Sequence, residues 1–458
     1  MKKIIALIGI AGALTFGSCV KELEIDPVQS IDATVALETA EDLESALVGA
    51  YGIMHQGSLY GTNLNLVPEL LGSEDYCQWR GTFQSFRQVM NKSMTVDNAE
   101  ASRTWIDAYR AINIANNVIA NLNKVADVDQ RAELEAEARF IRGILHFELV
   151  RLYAQPWDAT GANNGPGVPI AVTAVTNESA AGQKVARNTI SEVYAAVIED
   201  LRAAELSLPE SRSGTNRFRG TTYTAKAFLA RVYLQQSRFA DALTRADAVI
   251  SSNNYALNAS IASTFTNKFT NETIFELYNN DQNNAGTAND GLTTFYASMP
   301  GIGRSDVRIL AAFANLYEAD DERNSQLIYI GTGRRPGSRQ CGKWTAFGQN
   351  IPVIRLSEMF LIRAECNLRE GTAIGNTPLE DVNIVRRRAR ASERTDVTVD
   401  DVILERNLEL CFEGSRIHDL KRLKLNTGSY PYNDPLLVFP IPEREIRANS
   451  ALEQNDGY

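Results

Sequence analysis

The strongest constraint on this chain is a helical period that recurs along it. Trp105, Tyr109, Ile112, Asn116, Ile119 and Leu122 follow one another at three- and four-residue steps, and so do Leu134, Ala138, Ile141, Leu145, Leu149 and Leu152. Apolar residues at that spacing line one face of an α-helix, and that face needs a partner to bury it. The two stripes are separated by a short Asp-rich turn at Asp127 to Gln130, so the helices are predicted to pack antiparallel as a hairpin. Further helices are expected to begin near Thr189, Thr221, Arg238, Ile354, Pro378 and Asp401. Alanine recurs on the contact stripes, in Ala136-Glu137-Ala138-Arg139-Phe140, in Ala225-Lys226-Ala227-Phe228-Leu229-Ala230-Arg231 and in Ile362-Arg363-Ala364-Glu365. Small side chains let helices approach closely, which is the packing logic of tetratricopeptide-like helical hairpins. The spacing is irregular, and an ordinary helical bundle is the competing arrangement. Either way the fold class is mainly α.

Two segments break the period. One runs over about 60–97 and contains Trp79, Phe83 and Phe86; the other runs over about 255–350 and is rich in Asn, Gly and Thr. Both are read as loop-rich insertions on a helical scaffold at about 102–252 and 353–424. Insertions of that length are commonly functional. A calcium site is conceivable in the polar stretch Asn279 to Asn284, but it falls short of the carboxylate count of an EF-hand loop, so it is read as a plain loop and no metal or cofactor is expected.

The N-terminus carries an address. Lys2 and Lys3 precede an apolar run from Ile4 to Phe16, followed by Gly17-Ser18-Cys19. The run falls short of the ~20 residues that span a bilayer and has the form of a signal peptide. Gly17-Ser18-Cys19 reads as a lipobox, with Phe16 where leucine is common. On that reading residues 1–18 are removed, Cys19 takes a diacylglycerol, 19–35 form a tether and 36–458 form one domain. Ordinary secretion is the alternative.

A net charge of −10 excludes nucleic acid as a partner, because phosphate needs a basic face. Arg386-Arg387-Arg388 is read as the solvated face of a helix. Cys366 and Cys411 lie in apolar helical runs, as buried free thiols do. A bridge between Cys77 and Cys341 stays open, since connectivity cannot be read from spacing.

Enzyme chemistry finds little support. His55, His146 and His418 fall in no metal-ligating or nucleophile-activating spacing. Glu413, Arg416, Asp419 and Arg422 lie three apart and are expected to share a helix face as a structural ion network rather than an acid–base cluster. Binding chemistry is easier to place. Sugar rings offer apolar faces to flat aromatics and hydroxyl rims to Asp, Asn and Arg. Trp79, with Asp75 and Arg80 beside it, is the sharpest candidate, although plain packing of Trp79 stands as an equal alternative. Trp105 and Trp157 are expected in the core.

Several motifs occur together and in order. They are Trp105-x-x-x-Tyr109-x-x-Ile112-x-x-Ala115-Asn116, Glu135 to Arg142 with Leu149 to Tyr153, Ile354 to Glu358 with Ala364-Glu365, and Glu405-Arg406. Phe412-Glu413-Gly414-x-Arg416-x-x-Asp419-Leu420-x-Arg422 follows, and then the tail Pro440-Ile441-Pro442 to Gly457-Tyr458. With the lipobox, these make the chain resemble the SusD/RagB family of Bacteroidetes outer-membrane lipoproteins over nearly its whole length. The resemblance implies four tetratricopeptide-like hairpins beneath an irregular ligand-binding lobe. It implies surface display, which Glu22, Glu24 and Asp26 fit in part. It implies a SusC-like TonB-dependent transporter as partner and an oligosaccharide as ligand, without catalysis. It adds Tyr296 and Trp344 in the second insertion as candidate ligand-binding aromatics. Peptide capture, as in RagB-like members, a surface glycoside hydrolase and a scaffold that binds only protein are the other readings.

Overall fold

The computed structural model describes residues 37–176 and 182–458. The expected signal peptide, tether and lipidation at Cys19 fall outside the described residues. Helix starts follow the side chains that can cap them. Helix α1 (Ala40–Met54) opens on a reciprocal pair, in which the Thr39 hydroxyl accepts from the Asp42 amide and the Asp42 carboxylate accepts from the Thr39 amide. Asn98 caps α4 (Ala99–Ala120) and Asp127 caps α5 (Val128–Tyr153), the predicted hairpin. Between α1 and α4 lie α2 (Asn63–Leu71), strand β1 (Cys77–Trp79) and α3 (Gln84–Asn91). Thr189 and Thr221 cap α6 (Ile190–Ser207) and α7 (Thr222–Gln235), and α8 (Phe239–Ile250) follows. After the second insertion come α9 (Leu356–Glu370), α10 (Pro378–Arg388), α11 (Val399–Glu409) and α12 (Arg416–Arg422).

Packing follows chain order. Helix α4 packs on α5, α5 on α6, α6 on α7, α7 on α8, α8 on α9 and α9 on α10. The small residues sit where helices meet: Ala138, Ala225, Ala227, Ala230, Ala242, Ala246 and Ala364 are fully buried. At Gly143 an added Cβ would stand 3.1 Å from the Asp200 side chain, so the α5–α6 contact depends on that glycine. Buried apolar residues from Leu37 to Leu452 form one continuous core. No described helix is long and apolar enough to cross a membrane.

The two insertions hold more regular structure than expected. Segment 60–97 is mostly α2, β1 and α3. Segment 255–350 contributes β2 (Thr273–Leu277), β3 (Val307–Ile309), β4 (Ile328–Ile330) and β5 (Arg339–Cys341), and β6 (Ile351–Arg355) closes it. These strands pair in twos, all antiparallel: β1 with β3, β2 with β6, β4 with β5. Each partner lies far away in sequence or is only three residues long, so no local alternation announces it.

A buried ion cluster ties the second insertion to the last helices. Arg355, at the end of β6, reaches Glu272 at 2.6 Å, Glu409 at 3.0 Å and Glu413 at 2.8 Å. Arg388 meets Glu272 at 2.9 Å, and Arg323 meets Asp321 and Glu405 at 2.6 Å each. This corrects the reading of Arg386-Arg387-Arg388 as a solvated face. Arg386 pairs with buried Glu405 at 2.8 Å, Arg388 is buried as above, and only Arg387 is exposed. A second cluster runs from Arg231 through Glu358, Arg406 and Asp419 to Arg422 and Glu365. The predicted ion network holds only for Asp419 and Arg422: Arg416 donates instead to the Gly72 carbonyl and the Asn407 amide oxygen, and Glu413 belongs to the Arg355 cluster. Glu413 lies in the turn before α12, between Phe412 at φ 62° and Gly414 at φ 81°. Gly414 is required there, since an added Cβ would stand 2.3 Å from the Leu64 carbonyl oxygen. Cys77 and Cys341 are both free and buried, so that bridge is not formed; burial pushes both thiols up.

These clusters set two expectations. Removing one partner of a buried ion set strands the others, so Arg355→Met should cost about 3–5 kcal/mol in urea unfolding. Arg387→Gln, on the exposed pairs with Glu380 and Glu393, should cost less than about 1 kcal/mol. Burial alone would raise Glu358 and Asp419, but Arg231 and Arg406 hold Glu358 at about 2, and Arg406 and Arg422 hold Asp419 at about 2. Both carboxyls are thus lower folded than unfolded. Their stabilisation is complete above pH about 4.5 and drains as pH falls toward 2, which an acid titration followed by far-UV circular dichroism would show as steep unfolding in that window.

Candidate functional site

Aromatic rings that a ligand could reach are few. Among the described residues, Phe83 and Tyr278 are the aromatic side chains more than a third exposed, at 39% and 44%.

Phe83 caps a packed aromatic wedge. Its ring meets Phe86 and Phe295 edge-on at 6.5 and 5.8 Å, and Trp79 packs behind them against Phe86 at 4.8 Å and Phe295 at 5.3 Å. The Trp79 indole N–H donates to the Phe83 carbonyl at 3.2 Å. Trp79 is 3% exposed, so it fixes the position of Phe83 rather than offering a face of its own. The pleat explains this: Cys77 and Trp79 of β1 and Val307 and Ile309 of β3 point inward, while Gln78 and Arg308 face each other outward, hydrogen-bonded at 2.7 Å.

Around Phe83 three segments converge. Arg80 continues the β1–β3 ladder, its amide donating to the Asp306 carbonyl at 2.6 Å. Its guanidinium donates to the hydroxyls of Ser305 at 3.2 Å and Ser338 at 3.1 Å. Arg335, in the turn joining β4 to β5, donates to the Arg80 carbonyl at 2.8 Å. Arg304 stands over the Phe83 ring at 5.1 Å, donates to the Thr82 hydroxyl at 2.9 Å and lies 3.0 Å from the Asp306 carboxylate. Gly81 makes the approach possible, since an added Cβ would meet the Trp79 ring at 2.4 Å and the Asp306 carboxyl at 2.8 Å. Burial raises the Asp306 carboxyl above its ordinary value, against the pull of Arg304, Arg335, Arg334 and Arg80. Burial also lowers the Arg80 guanidinium, and the like charges of Arg335 and Arg308 lower it further.

Tyr278 belongs to a separate groove. It stacks on Phe269 at 6.0 Å with the rings nearly parallel. Arg217 covers Phe269 and Lys268 covers Tyr278. Nearby Glu276 is pushed up to about 7 by burial.

Of the residues singled out in the sequence, Trp79 and Arg80 meet in the Phe83 patch. Asp75 stands exposed in the turn before β1, with φ 56°. Tyr296 and Trp344 are corrected. They are 0% and 1% exposed, Tyr296 packing on Phe412 at 5.6 Å and Trp344 donating to the Phe412 carbonyl at 3.1 Å, so both serve the frame. In Asn279 to Asn284 the Asn280 side chain accepts from the amides of Gln282 and Asn283, and Asn279 donates to Gln349 and Asn350, as a structural loop does. His146 accepts from the Ala171 amide at 3.2 Å and is buried. Sequence reasoning missed Phe83 as the presented ring, together with Arg304, Arg308, Arg334 and Arg335. The one local signal was the pair of arginines in the turn Gly333-Arg334-Arg335-Pro336-Gly337.

Comparison with known proteins gives one direction. A family model described as starch-binding, associating with the outer membrane, matches residues 25–234, and the SusD family model matches residues 342–434. SusD-like protein P2 of Formosa agariphila is 26% identical over 97% of this chain and 98% of its own length. A SusD superfamily protein of Bacteroides thetaiotaomicron has the same fold, with TM-score 0.80 at 24% identity over 91% of this chain and 99% of that one. A laminarin-binding SusD-like protein superposes with TM-score 0.76 at 22% identity, over 92% of this chain and 100% of that one. With both family models matched in the expected order, and with this fold, the chain belongs to the SusD/RagB family.

Proposed function

We propose that this protein captures an oligosaccharide at the outer face of the outer membrane and passes it to a SusC-like TonB-dependent transporter without cleaving it. Lipid on Cys19 holds it there, and the protein acts as the lid of the barrel. The observation that carries the reading is the Phe83 ring. It is exposed on a wedge that cannot shift without disturbing Trp79, Phe86 and Phe295, and the Arg304 guanidinium and the Thr82 hydroxyl stand beside it. A flat apolar face with directional donors at its edge is what a pyranose ring needs. Family membership supports the partner and the location. The acid–base groups of the Glu413 to Arg422 region support binding over turnover, because Glu413 is held by Lys343 and Arg355 and Asp419 by Arg406 and Arg422.

Calorimetric titration of the mature protein with an oligosaccharide panel tests the reading. Saturable binding without new reducing ends is expected, and Phe83→Ala should weaken it about fivefold, as for loss of ~1 kcal/mol of ring contact. Release of reducing ends by the purified protein would overturn it. In cells, Cys19→Ala should move the protein from the membrane pellet to the soluble fraction, since the acyl chains supply the anchor; unchanged pelleting after a carbonate wash would count against lipidation.

A further inference from the structure

The arginines around Phe83 are paired differently from those elsewhere in the molecule. In the core, Arg355, Arg323, Arg388, Arg363 and Arg422 each contact carboxylates. In the patch the acceptors are neutral. Arg80 is held by two serine hydroxyls, Arg335 by a backbone carbonyl, and Arg308 by the Gln78 amide oxygen. Only Arg304 has a carboxylate beside it, Asp306. The opposing carboxylate felt by Arg80 is that same Asp306, while Arg335 and Arg308 repel it. The Nε of Arg80 and of Arg308 is buried without a hydrogen-bond partner. Arg334 stands exposed in the β4–β5 turn. Four guanidinium groups, those of Arg304, Arg335, Arg334 and Arg80, thus share the Asp306 carboxylate, and Arg308 adds a like charge beside Arg80, on a chain whose net charge is −10.

Neutral acceptors fix a guanidinium in place without cancelling its charge. Crowding like charges is unfavourable unless an anion arrives. Planar guanidinium donors suit carboxylate and sulfate oxygens, which can take two parallel N–H bonds. The charge lies beside an exposed ring, with Arg304 over its face and the Thr82 hydroxyl adjoining, which favours an anion carried on a sugar over a free ion or an acidic protein surface. From this arrangement we infer that the ligand at the Phe83 patch is an anionic glycan, its carboxylate or sulfate ester groups bound by Arg80, Arg304, Arg308, Arg334 and Arg335. This deepens the proposed function and rests on it.

The test uses the mature protein and four probes: an oligogalacturonate, a sulfated galactan oligosaccharide, neutral laminarin oligosaccharides of similar length, and inorganic sulfate. A charged oligosaccharide should bind, weaken severalfold between about 50 and about 500 mM NaCl, and bind about tenfold more weakly to the Arg334→Gln/Arg335→Gln protein. Whichever charged probe binds tighter assigns carboxylate or sulfate. Arg334 is exposed, so Arg334→Gln alone serves where the double variant loses its fold, and it should show a smaller loss in the same direction. Laminarin oligosaccharides bound as tightly as the charged ones, salt-insensitive and unaffected by these substitutions, would overturn the anionic assignment and leave glycan capture standing. Inorganic sulfate competing on equal terms would overturn it in favour of a free anion. Loss of transporter capture in the variant with glycan affinity intact would assign the patch to protein docking and overturn it too. Binding of no probe, with Phe83→Ala indistinguishable from the parent, would overturn both this inference and the function beneath it.

Discussion

The structure depends on Arg355. It is the last residue of β6, fully buried, and it gathers Glu272 from the start of β2, Glu409 from the end of α11 and Glu413 from the turn before α12. Those groups come from both ends of the second insertion and from the C-terminal helices. No apolar contact could specify that junction as sharply, because a buried guanidinium tolerates no arrangement that leaves its carboxylates unpaired. The helical stack could close on itself without the insertion, since α8 packs directly on α9. Arg355 fixes how the insertion leaves the stack.

From that junction the order passes outward to the patch through one residue, Phe412. Its amide donates to the Tyr76 hydroxyl at 2.8 Å and to Glu69, its carbonyl accepts from Trp344, and its ring stacks on Tyr76 at 4.7 Å and tilts against Tyr296 at 5.6 Å. Tyr76 directly precedes β1, and its carbonyl accepts from the Leu310 amide just past β3. The strand pair that carries Trp79, Arg80 and Arg308 is therefore hung on the C-terminal turn. This is why Tyr296 and Trp344 are buried. They belong to the bracket between scaffold and patch, and a ring in a bracket has no free face.

Helix starts were legible because their causes are local. Thr189 with Glu192, Asp127 with Gln130 and Thr377 before Pro378 signal their ends within four residues. Trp79 was legible as one of two alternatives, ligand contact or plain packing, and its burial against Phe86 and Phe295 is the packing one. Which ring faces outward was not legible. That follows from the pairing of Trp79 with Val307, across about half the chain, which sets the pleat. Arg386 and Arg388 were misread for the same reason. A helix with three consecutive arginines looks solvated until Glu405, Glu272 and Glu409 arrive from elsewhere to bury two of them.

One residue type thus serves two ends, separated by what it is bonded to. Arginine enclosed by carboxylates is inert, because its charge is spent within the fold and its donors are occupied. Arginine braced by hydroxyls, an amide and a carbonyl keeps its charge for something else, and the brace removes the rotamer freedom that binding would otherwise have to freeze. On the proposed function, a protein that hands its ligand on would gain from this division. Contacts to partly solvated guanidinium groups are individually weak and quickly exchanged, so a ligand can be held by several at once and released one contact at a time. On that function the deep ion clusters would keep the frame still during such exchange.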